Sequence, residues 1–498
     1  GIVGEDQEIV YRVSEDGAAS AGGPVNVTVR VNGDEIATET AVAGEETPFY
    51  LNLPRGGENI VEFSVDELDG EVTTANNHTV TLIEGIRENL RVLLVSGAPH
   101  SGERAWRNLL KSDASVDLVH FTILRPPEKQ DGTPISELSL IAFPTRELFV
   151  EKIDEFDLII FDRYQNRGVL PVLYYDYIAR YVEDGGALLV AAGPELAGVE
   201  SIAETPLAPA LPAVPTGAVT EAGYYPRLSD NGRRHPVTRT LPGALSEPPD
   251  WGRWFRTVGV GDTAGDVVMR GAANEPLLVL NRYGEGRVAM LLSDHGWLWA
   301  RGFEGGGPHV ALYRRIAHWL MKEPSLEEEA LRATANGRTL VIERQTMSDV
   351  TDPATIELPS GETREVILAP AGDGLFRSEL ALDQPGLVEV TSGDLRALAH
   401  VGAVDAPEFR ATVSTTGVIA PVSEETGGLT TRVNATASDL PQILPTRSAR
   451  IDAGERMGLR ASNESVLKGV RSVPLFGGFL GLALMILALG ATWFREGR

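Results

Sequence analysis

Polar and apolar positions follow two different periods along this chain, and the change of period divides it into regions. Residues 1–88 alternate apolar and polar side chains in short runs such as EIVYRV and VNVTVRVNG, separated by Gly, Asp or Asn. A period of two predicts strands that bury one face, and several such runs predict a β-sandwich. Asn32 and Gly33 lie between two runs, and because Asn-Gly adopts positive φ at low cost, we expect a hairpin turn there.

From Leu90 onward the period changes. An unbroken apolar run, Val92 to Val95, meets a Gly/Pro turn and then an amphipathic segment containing Trp106. This order is typical of a buried parallel strand that leads into a helix. The runs FDLIIFDRY and ALLVAAGPE follow, with the helical pattern LYYDYIARYVEDGG between them, and a hairpin with its turn at Gly284 to Gly286 precedes a closing helix. The sequence therefore predicts an α/β domain with a parallel sheet over residues 89–325.

The last third of the chain returns to strands and then becomes apolar. The run LEEEALR (326–332) has the charge pattern of a solvated helix end. Residues 338–404 alternate again and predict a second, smaller sandwich, and 405–472 resemble a partly ordered tether in composition. The stretch Val473–Phe494 carries no charge and is long enough to cross a bilayer as a helix.

Composition excludes several classes of function. The 498 residues carry a formal net charge of -26, and such a surface repels both nucleic acid and anionic lipid headgroups. The chain contains no cysteine, so it has no thiolate nucleophile, zinc-thiolate site or disulfide. It also lacks the metal-binding spacings HxH and HExxH, and we predict no metal and no cofactor.

Five polar residues follow the predicted parallel strands. His100 and Glu103 come after the first strand, Glu195 after a later one, and Asp294 with His295 after the last group. Ligands of such sheets bind outside the carboxyl ends of the strands, so these residues are candidates for a hydrolytic or metal site. Two alternatives stay open: the histidines hydrogen-bond to loop backbone, or the crevice binds a small molecule without turnover.

The middle domain resembles the class I glutamine amidotransferase-like superfamily, and within it the trehalose-utilisation-type members. The resemblance is carried by the order of five segments: RVLLVSG, FDLIIFDRY, GGALLVAAG, HPVTRTLPG and GEGRVAMLLSDHGW. It implies a central flavodoxin-like, amidotransferase-like parallel sheet. The stretch TTANNHTVTL resembles the closing strands of immunoglobulin-like modules. The expected fold class is therefore multidomain α/β plus all-β, with this sheet flanked by two immunoglobulin-like β-sandwiches and followed by a C-terminal transmembrane helix.

The chain departs from that family at its nucleophile. Amidotransferases of this superfamily place a cysteine on an elbow between a strand and a helix, because a thiolate attacks an amide readily at neutral pH. Here the elbow falls at Gly193, Pro194 and Glu195, which offer no nucleophile. Glutamine hydrolysis by the family mechanism is excluded, even though His295 matches the family histidine.

The whole chain resembles the C-terminal part of bacterial membrane proteins encoded beside MoxR-type ATPases and von Willebrand factor A proteins. This resemblance implies an inner-membrane protein, anchored through Val473–Phe494, with a periplasmic body and those two kinds of protein as partners. A fragment of a longer chain is also expected, because residue 1 is glycine. The expected function is that of a catalytically degenerate module that binds or scaffolds.

Two other functions remain as alternatives. One is a hydrolase of unknown substrate that uses the crevice of His295, Asp294, His100 and Glu103. The other is binding of carbohydrate or another cell-envelope ligand, and it predicts that several tryptophans face solvent in one groove. The aromatic residues that suggest it are Trp251, Trp254, Phe255, Trp297, Trp299 and Phe303.

Overall fold

A computed structural model of the chain describes residues 1–14, 23–67, 77–86, 89–123, 144–402, 416–426, 430, 442–446, 456–460 and 466–497. The chain consists of two compact units, Gly1–Arg410 and Ala411–Arg498. Most of the predicted tether, 405–472, lies outside the described residues.

The first region is built from strands that alternate as the sequence predicts. Its described strands are β1 (Asp6–Arg12), β2 (Pro24–Val31), β3 (Asp34–Val42), β4 (Glu46–Asn52), β5 (Gly57–Val65) and β6 (His78–Gly85). They form a sheet of order β3-β2-β5-β6 and a pair β1-β4, and both contribute to one apolar core. Asn32 and Gly33 have φ of 52° and 87° and connect β2 to β3, which confirms the predicted hairpin turn.

The second region contains the large sheet. Its described strands and α-helices are β7 (Leu90–Ser96), α1 (Ser101–Lys111), β8 (Val116–Thr122), β9 (Leu158–Asp162), α2 (Val172–Glu183), β10 (Ala187–Ala191), β11 (Ala213–Thr220), β12 (Arg227–Leu228), α3 (Asp230–Arg234), β13 (Thr257–Thr263), β14 (Asp266–Arg270), β15 (Pro276–Tyr283), β16 (Gly286–Leu291), α4 (Trp297–Ala300) and α5 (His309–Leu320). Shorter helical turns lie at Glu147–Glu151, Ile153–Glu155, Pro194–Ala197, Ile202–Glu204, Ala208–Ala210, Ala272–Asn274, Phe303–Gly305 and Pro324–Leu326.

The large sheet has eight strands in the order β12-β14-β15-β16-β10-β9-β7-β8. The five strands from β16 to β8 pair in parallel, while β12, β14 and β15 join antiparallel. The predicted hairpin is confirmed, since Tyr283 pairs with Gly286 across its turn. The expectation of a mixed α/β chain with a large, parallel-containing sheet is therefore confirmed.

Helices cover both faces of this sheet, which explains the unbroken apolar runs. Along β7, Val92 and Leu94 pack with α1 and α5 on one face, whereas Leu93 and Val95 pack with α2 on the other. A strand buried on both faces needs apolar residues at every position, so alternation disappears. This arrangement leaves the strand ends as the place for polar chemistry.

The third region forms two four-stranded sheets that share one core. Its strands are β17 (Ala330–Asn336), β18 (Thr339–Gln345), β19 (Ala354–Glu357), β20 (Thr363–Val366), β21 (Ala369–Gly372), β22 (Leu375–Ala381), β23 (Gly386–Ser392) and β24 (Leu395–Val401). The sheet orders are β17-β18-β22-β21 and β20-β19-β23-β24.

The prediction of a helix end at 326–332 is wrong. β17 begins at Ala330 and pairs with β18, so the sheet starts before residue 338. The preceding carboxylates are not solvated by water alone: Glu327 pairs with Arg287, Glu328 with Arg282, and Glu329 with Arg344. Their partners are far away in sequence, so the local charge pattern could not show them.

The second unit contains a long apolar helix. Its described elements are α6 (Ala420–Thr426), the parallel pair β25 (Gln442–Thr446) and β26 (Arg456–Arg460), and α7 (Gly478–Glu496). The 19 residues of α7 have a mean hydropathy of 1.6 over their most apolar window and are not buried in the protein. At 1.5 Å per residue the helix is about 28 Å long, which suits a membrane span. It begins later than the predicted Val473, because residues 466–477 are not helical.

Candidate functional site

All five candidate residues lie near the carboxyl ends of parallel strands. His100 and Glu103 follow β7, Glu195 follows β10, and Asp294 with His295 follow β16. Strand β9, which lies between β10 and β7 in the sheet, ends at Asp162, and Asp162 is 1% exposed. Arg163 is the residue directly after this strand. We call the polar residues at this edge the crevice cluster: Ser96, His100, Asp162, Arg163, Glu195, Arg256, Asp294 and His295.

His100 is held at both ring nitrogens. Its Nδ1 accepts the backbone N–H of Gly102 at 3.1 Å and so caps the first turn of α1. In a neutral ring the proton is then on Nε2, which donates to Oδ2 of Asp162 at 2.7 Å. Ser96 Oγ donates to the same oxygen at 3.0 Å. His100 therefore has no free lone pair with which to act as a base.

His295 has the same constraint on Nδ1. That nitrogen accepts the backbone N–H of Phe255 at 3.1 Å, so the neutral ring carries its proton on Nε2. Burial lowers the pKa of His295 below its usual 6.5, although the charge of Asp294 opposes the effect. The ring is neutral at pH 7 and can donate one hydrogen bond, but its lone pair is already occupied. Nε2 lies 3.9 Å from Asp294 Oδ1, too far for a hydrogen bond.

Asp294 joins two arginines in a chain of alternating charges. Its Oδ2 lies 3.2 Å from Arg163 Nη1 and 3.1 Å from Arg256 Nη1, and its side chain is 4% exposed. Arg163 continues to Glu195 through Nε at 3.1 Å and through a second bond from Nη2. Arg256 continues to Glu221 at 3.1 Å. We call this series the ion-pair ladder: Glu195–Arg163–Asp294–Arg256–Glu221.

The ion pairs of the ladder offset the free-energy cost of burying its charged groups. Burial alone would lower the pKa of Arg163, but the hydrogen bond that it donates to Glu195 and the charges of Glu195 and Asp294 outweigh it and raise that pKa. Three carboxylates and two guanidiniums leave a net charge of -1. Arg163, Asp294 and Arg256 each lie between two groups of opposite charge, so their charges are already compensated without a bound ligand.

The ladder also occupies the space beside Gly193. Gly193 has φ −111° and ψ −170°, an ordinary extended conformation at the start of a short helical turn. A Cβ at this position would lie 2.3 Å from Glu195 Oε2 and 2.8 Å from the Arg163 side chain. Any side chain at residue 193 would therefore displace the Arg163–Glu195 pair.

Backbone geometry fixes Arg163 at this edge. It has φ +46°, in the left-handed region that costs about 1 kcal/mol or more for a residue with a side chain. Its carbonyl oxygen approaches Gly97 so closely that a Cβ there would lie 2.1 Å away. The turn after β7 thus needs glycine so that β9 can present Arg163 to the ladder.

Glu103 turns away from the other candidates. Its Oε1 accepts the hydroxyl of Thr122 at 2.8 Å and lies 3.4 Å from His120 Nε2 on β8. Burial lowers the pKa of His120. The structure therefore joins Asp294 to Glu195 through Arg163 and holds His295 on the backbone N–H of Phe255. It joins His100 to Asp162 and directs Glu103 towards the sheet edge.

The tryptophans of this region lie mostly inside the protein. Trp251, Trp254 and Trp299 are at most 3% exposed and pack against one another, with ring centroids 5.3 Å and 4.6 Å apart in the two pairs. Three buried rings cannot stack on a sugar at the surface. The structure gives carbohydrate binding by an open tryptophan groove no support.

The described residues hold a cavity away from the crevice cluster. It has a volume of about 420 Å³ and lies between the β14–β15 hairpin and the Glu327–Glu329 segment, with Trp319 and Met347 in its wall. The three glutamates there already pair with arginines. Within the described ranges no group of three or more His, Asp or Glu side chains is arranged to hold a metal ion.

Sequence reasoning missed the residues that complete the cluster. Asp162 and Arg163 end the run FDLIIFDRY, and their position directly after a buried strand is a signal that could have found them. Arg256 precedes β13, which lies outside the large sheet, so no strand-end rule points to it.

Comparison with known proteins adds little. No family model matches the chain, and no curated protein does. Among solved structures, the cytoplasmic protein STM3548 from Salmonella typhimurium is 19% identical with a TM-score of 0.35, covering 46% of this chain and 99% of its own. The cytoplasmic protein STM1381 from Salmonella typhimurium LT2 is 16% identical, with the same coverage and TM-score. A β-galactosidase from Bacillus circulans sp. alkalophilus is 11% identical with a TM-score of 0.29, covering 59% of this chain and 42% of its own. These values are too low to carry a functional argument.

Proposed function

We propose that the chain is a membrane-anchored cell-envelope protein whose α/β domain binds or scaffolds and performs no acyl transfer. In this proposal the domain is a degenerate amidotransferase-like module with a flavodoxin-like sheet, between two immunoglobulin-like sandwiches. Helix α7 anchors it in the bacterial inner membrane, and the body lies in the periplasm.

The observation that carries the proposal is the ion-pair ladder. An acyl-transfer site needs a nucleophile, a base with a free lone pair and room for a substrate. Residue 193 is a glycine whose Cβ position is filled by Arg163 and Glu195, and both candidate histidines use Nδ1 to accept backbone N–H groups. The residues that would supply the nucleophile and the base are therefore engaged in structural contacts instead.

The ladder is also what a scaffold would need at this edge. Charges paired in a partly buried network position four loops, those after β9, β10 and β16 and the segment before β13. A rigid set of loops can present a constant surface to another protein. The partners in this proposal are membrane proteins of von Willebrand factor A type and a MoxR-type ATPase.

Affinity capture from native membranes tests the binding role. Cells that express the tagged full chain are treated with a cross-linker, and the captured complexes are analysed by mass spectrometry, with excess untagged chain as the competitor. We expect a stoichiometric partner of the von Willebrand factor A or MoxR class, cross-linked to residues 1–402 and displaced by the competitor. Absence of any competed partner, together with a hydrolase activity that His295→Ala abolishes, would overturn the proposal.

A further inference from the structure

The segment directly before α7 has a composition unlike the rest of the chain. Residues 466–477 read VLKGVRSVPLFG, and six of them are large apolar residues exposed to solvent. Their exposed fractions are Val466 85%, Leu467 79%, Val470 81%, Val473 75%, Leu475 88% and Phe476 67%. Such a density of exposed apolar side chains marks a surface that contacts another phase or molecule.

The charge of this segment is opposite to that of the whole chain. Lys468 and Arg471 are its two charged residues, and no acidic residue occurs between Val466 and Arg495. The complete chain carries 70 acidic and 44 basic residues. A local cationic stretch beside an apolar helix is complementary to anionic lipid headgroups.

The backbone determines the depth at which this segment can lie. Residues 466–474 have neither helical nor strand structure, so within the described part of the chain their N–H and C=O groups have no regular partners. Unpaired backbone groups cannot enter the hydrocarbon layer, where no water is present to satisfy them. Exposed valine, leucine and phenylalanine side chains are disfavoured in bulk water. The interface between lipid and water satisfies both requirements.

We propose that residues 466–477 bind along the membrane surface, with the apolar side chains at the acyl boundary and Lys468 and Arg471 against anionic lipid phosphates. This inference rests on the membrane anchor of the proposed function, because α7 delivers the segment to the bilayer. It does not depend on whether the crevice cluster is catalytic. The partner is a lipid headgroup, recognised by its negative charge.

The absence of cysteine allows a site-specific test. Val470→Cys in the full chain gives a single thiol for an environment-sensitive fluorophore. Val199→Cys is the matched control, since Val199 lies in the other unit and is 95% exposed. Both labelled chains are reconstituted into vesicles of phosphatidylcholine alone or with phosphatidylglycerol, and flotation measures insertion separately.

We expect the fluorophore at residue 470 to shift to shorter wavelength in vesicles with phosphatidylglycerol, while the one at residue 199 does not shift. Adding Lys468→Gln and Arg471→Gln should lower the ratio of bound to free segment by roughly tenfold or more, because each cation contributes to headgroup attraction. The chain with the double substitution should still float, since α7 is unchanged.

Two results would overturn the inference while leaving the anchor intact. One is a floating chain whose residue-470 fluorophore emits as it does in water in both vesicle types. The other is a shift that is equal in both lipids and unaffected by the double substitution, which would indicate contact with protein or uncharged lipid. A chain that does not float contradicts the anchor and the inference together.

Discussion

Arg163 and Asp294 lie 3.2 Å apart although they follow two strands, β9 and β16, that are separated in the sheet by β10. Their side chains are 23% and 4% exposed, so the pair is largely withdrawn from water. Glu195 and Arg256 extend it on either side. This contact links the carboxyl ends of these strands, the edge at which parallel sheets of this kind bind ligands.

Loss of Arg163 should destabilise the fold. Arg163→Met leaves Asp294 and Glu195 without one of their partners, and removing one member of a buried pair costs about 3 kcal/mol or more. We expect a drop of about that size in the free energy of unfolding, measured by denaturant titration. Arg167→Met is the control, because its pair with Glu200 is 39% and 50% exposed and should cost less than about 0.5 kcal/mol. Equal effects of the two substitutions would show that the ladder contributes no special stability.

A side chain at residue 193 should be costly and give no activity. Gly193→Cys places a Cβ within 2.3 Å of Glu195 Oε2, so the ion pair must move. We expect a destabilisation of about 1–3 kcal/mol and no glutamine hydrolysis. Gly198→Cys is the matched control, since its Cβ would meet its nearest neighbour at 3.4 Å. Thermal unfolding and ammonia release measure the two outcomes, and glutaminase activity in Gly193→Cys would contradict the assignment of a closed elbow.

Stability should fall in mild acid through His309. Burial lowers the pKa of His309 to about 4, and its Nε2 has no hydrogen-bond partner among the described residues. The unfolded chain, with a pKa near 6.5, binds this proton first, so stability is lost as pH falls from about 6.5 to about 4. We expect His309→Gln to remove a slope of about 1 kcal/mol per pH unit within that window. Unfolding curves at several pH values measure it, and parallel pH profiles for the two proteins would contradict a buried neutral histidine.

Helix α7 should be necessary for membrane association. Placing arginines at Leu484 and Leu487 costs about 2.5–3.5 kcal/mol each near the centre of a span. We expect Leu484→Arg with Leu487→Arg to release the chain into the supernatant of a carbonate wash. Leu484→Ala with Leu487→Ala should remain in the membrane pellet. Retention of the arginine protein in the pellet would place the anchor outside α7.

The sequence predicted the strands that carry the candidate site better than it predicted the contacts of the side chains there. Apolar runs such as the one ending at Asp162 predicted parallel strands, and His100, Glu195 and His295 follow the ends of such strands in the structure. Whether a polar residue there is free or paired depends on contacts between distant segments. Arg256 lies before β13, outside the sheet, and no periodicity relates it to Asp294.

The same limit explains the wrong prediction at residues 326–332. The three consecutive glutamates 327–329 suggest a solvated helix end when the sequence is read alone, because their ion-pair partners cannot be identified from it. In the structure Glu327 reaches Arg282 and Arg287, which lie on β15 and β16. Local charge patterns describe a segment's own preferences, whereas ion pairs across the fold decide whether it is solvated.

Turnover in the wild-type chain and in His295→Ala tests the central claim most directly. The two proteins, matched in unfolding midpoint, are compared for hydrolysis of glutamine and of ester, phosphate and glycoside substrates. Because both candidate histidines and the surroundings of Gly193 are engaged in structural contacts, the rates should be equal and no higher than in buffer. A wild-type rate at least about tenfold above that of His295→Ala would contradict the account and identify the crevice cluster as an active site.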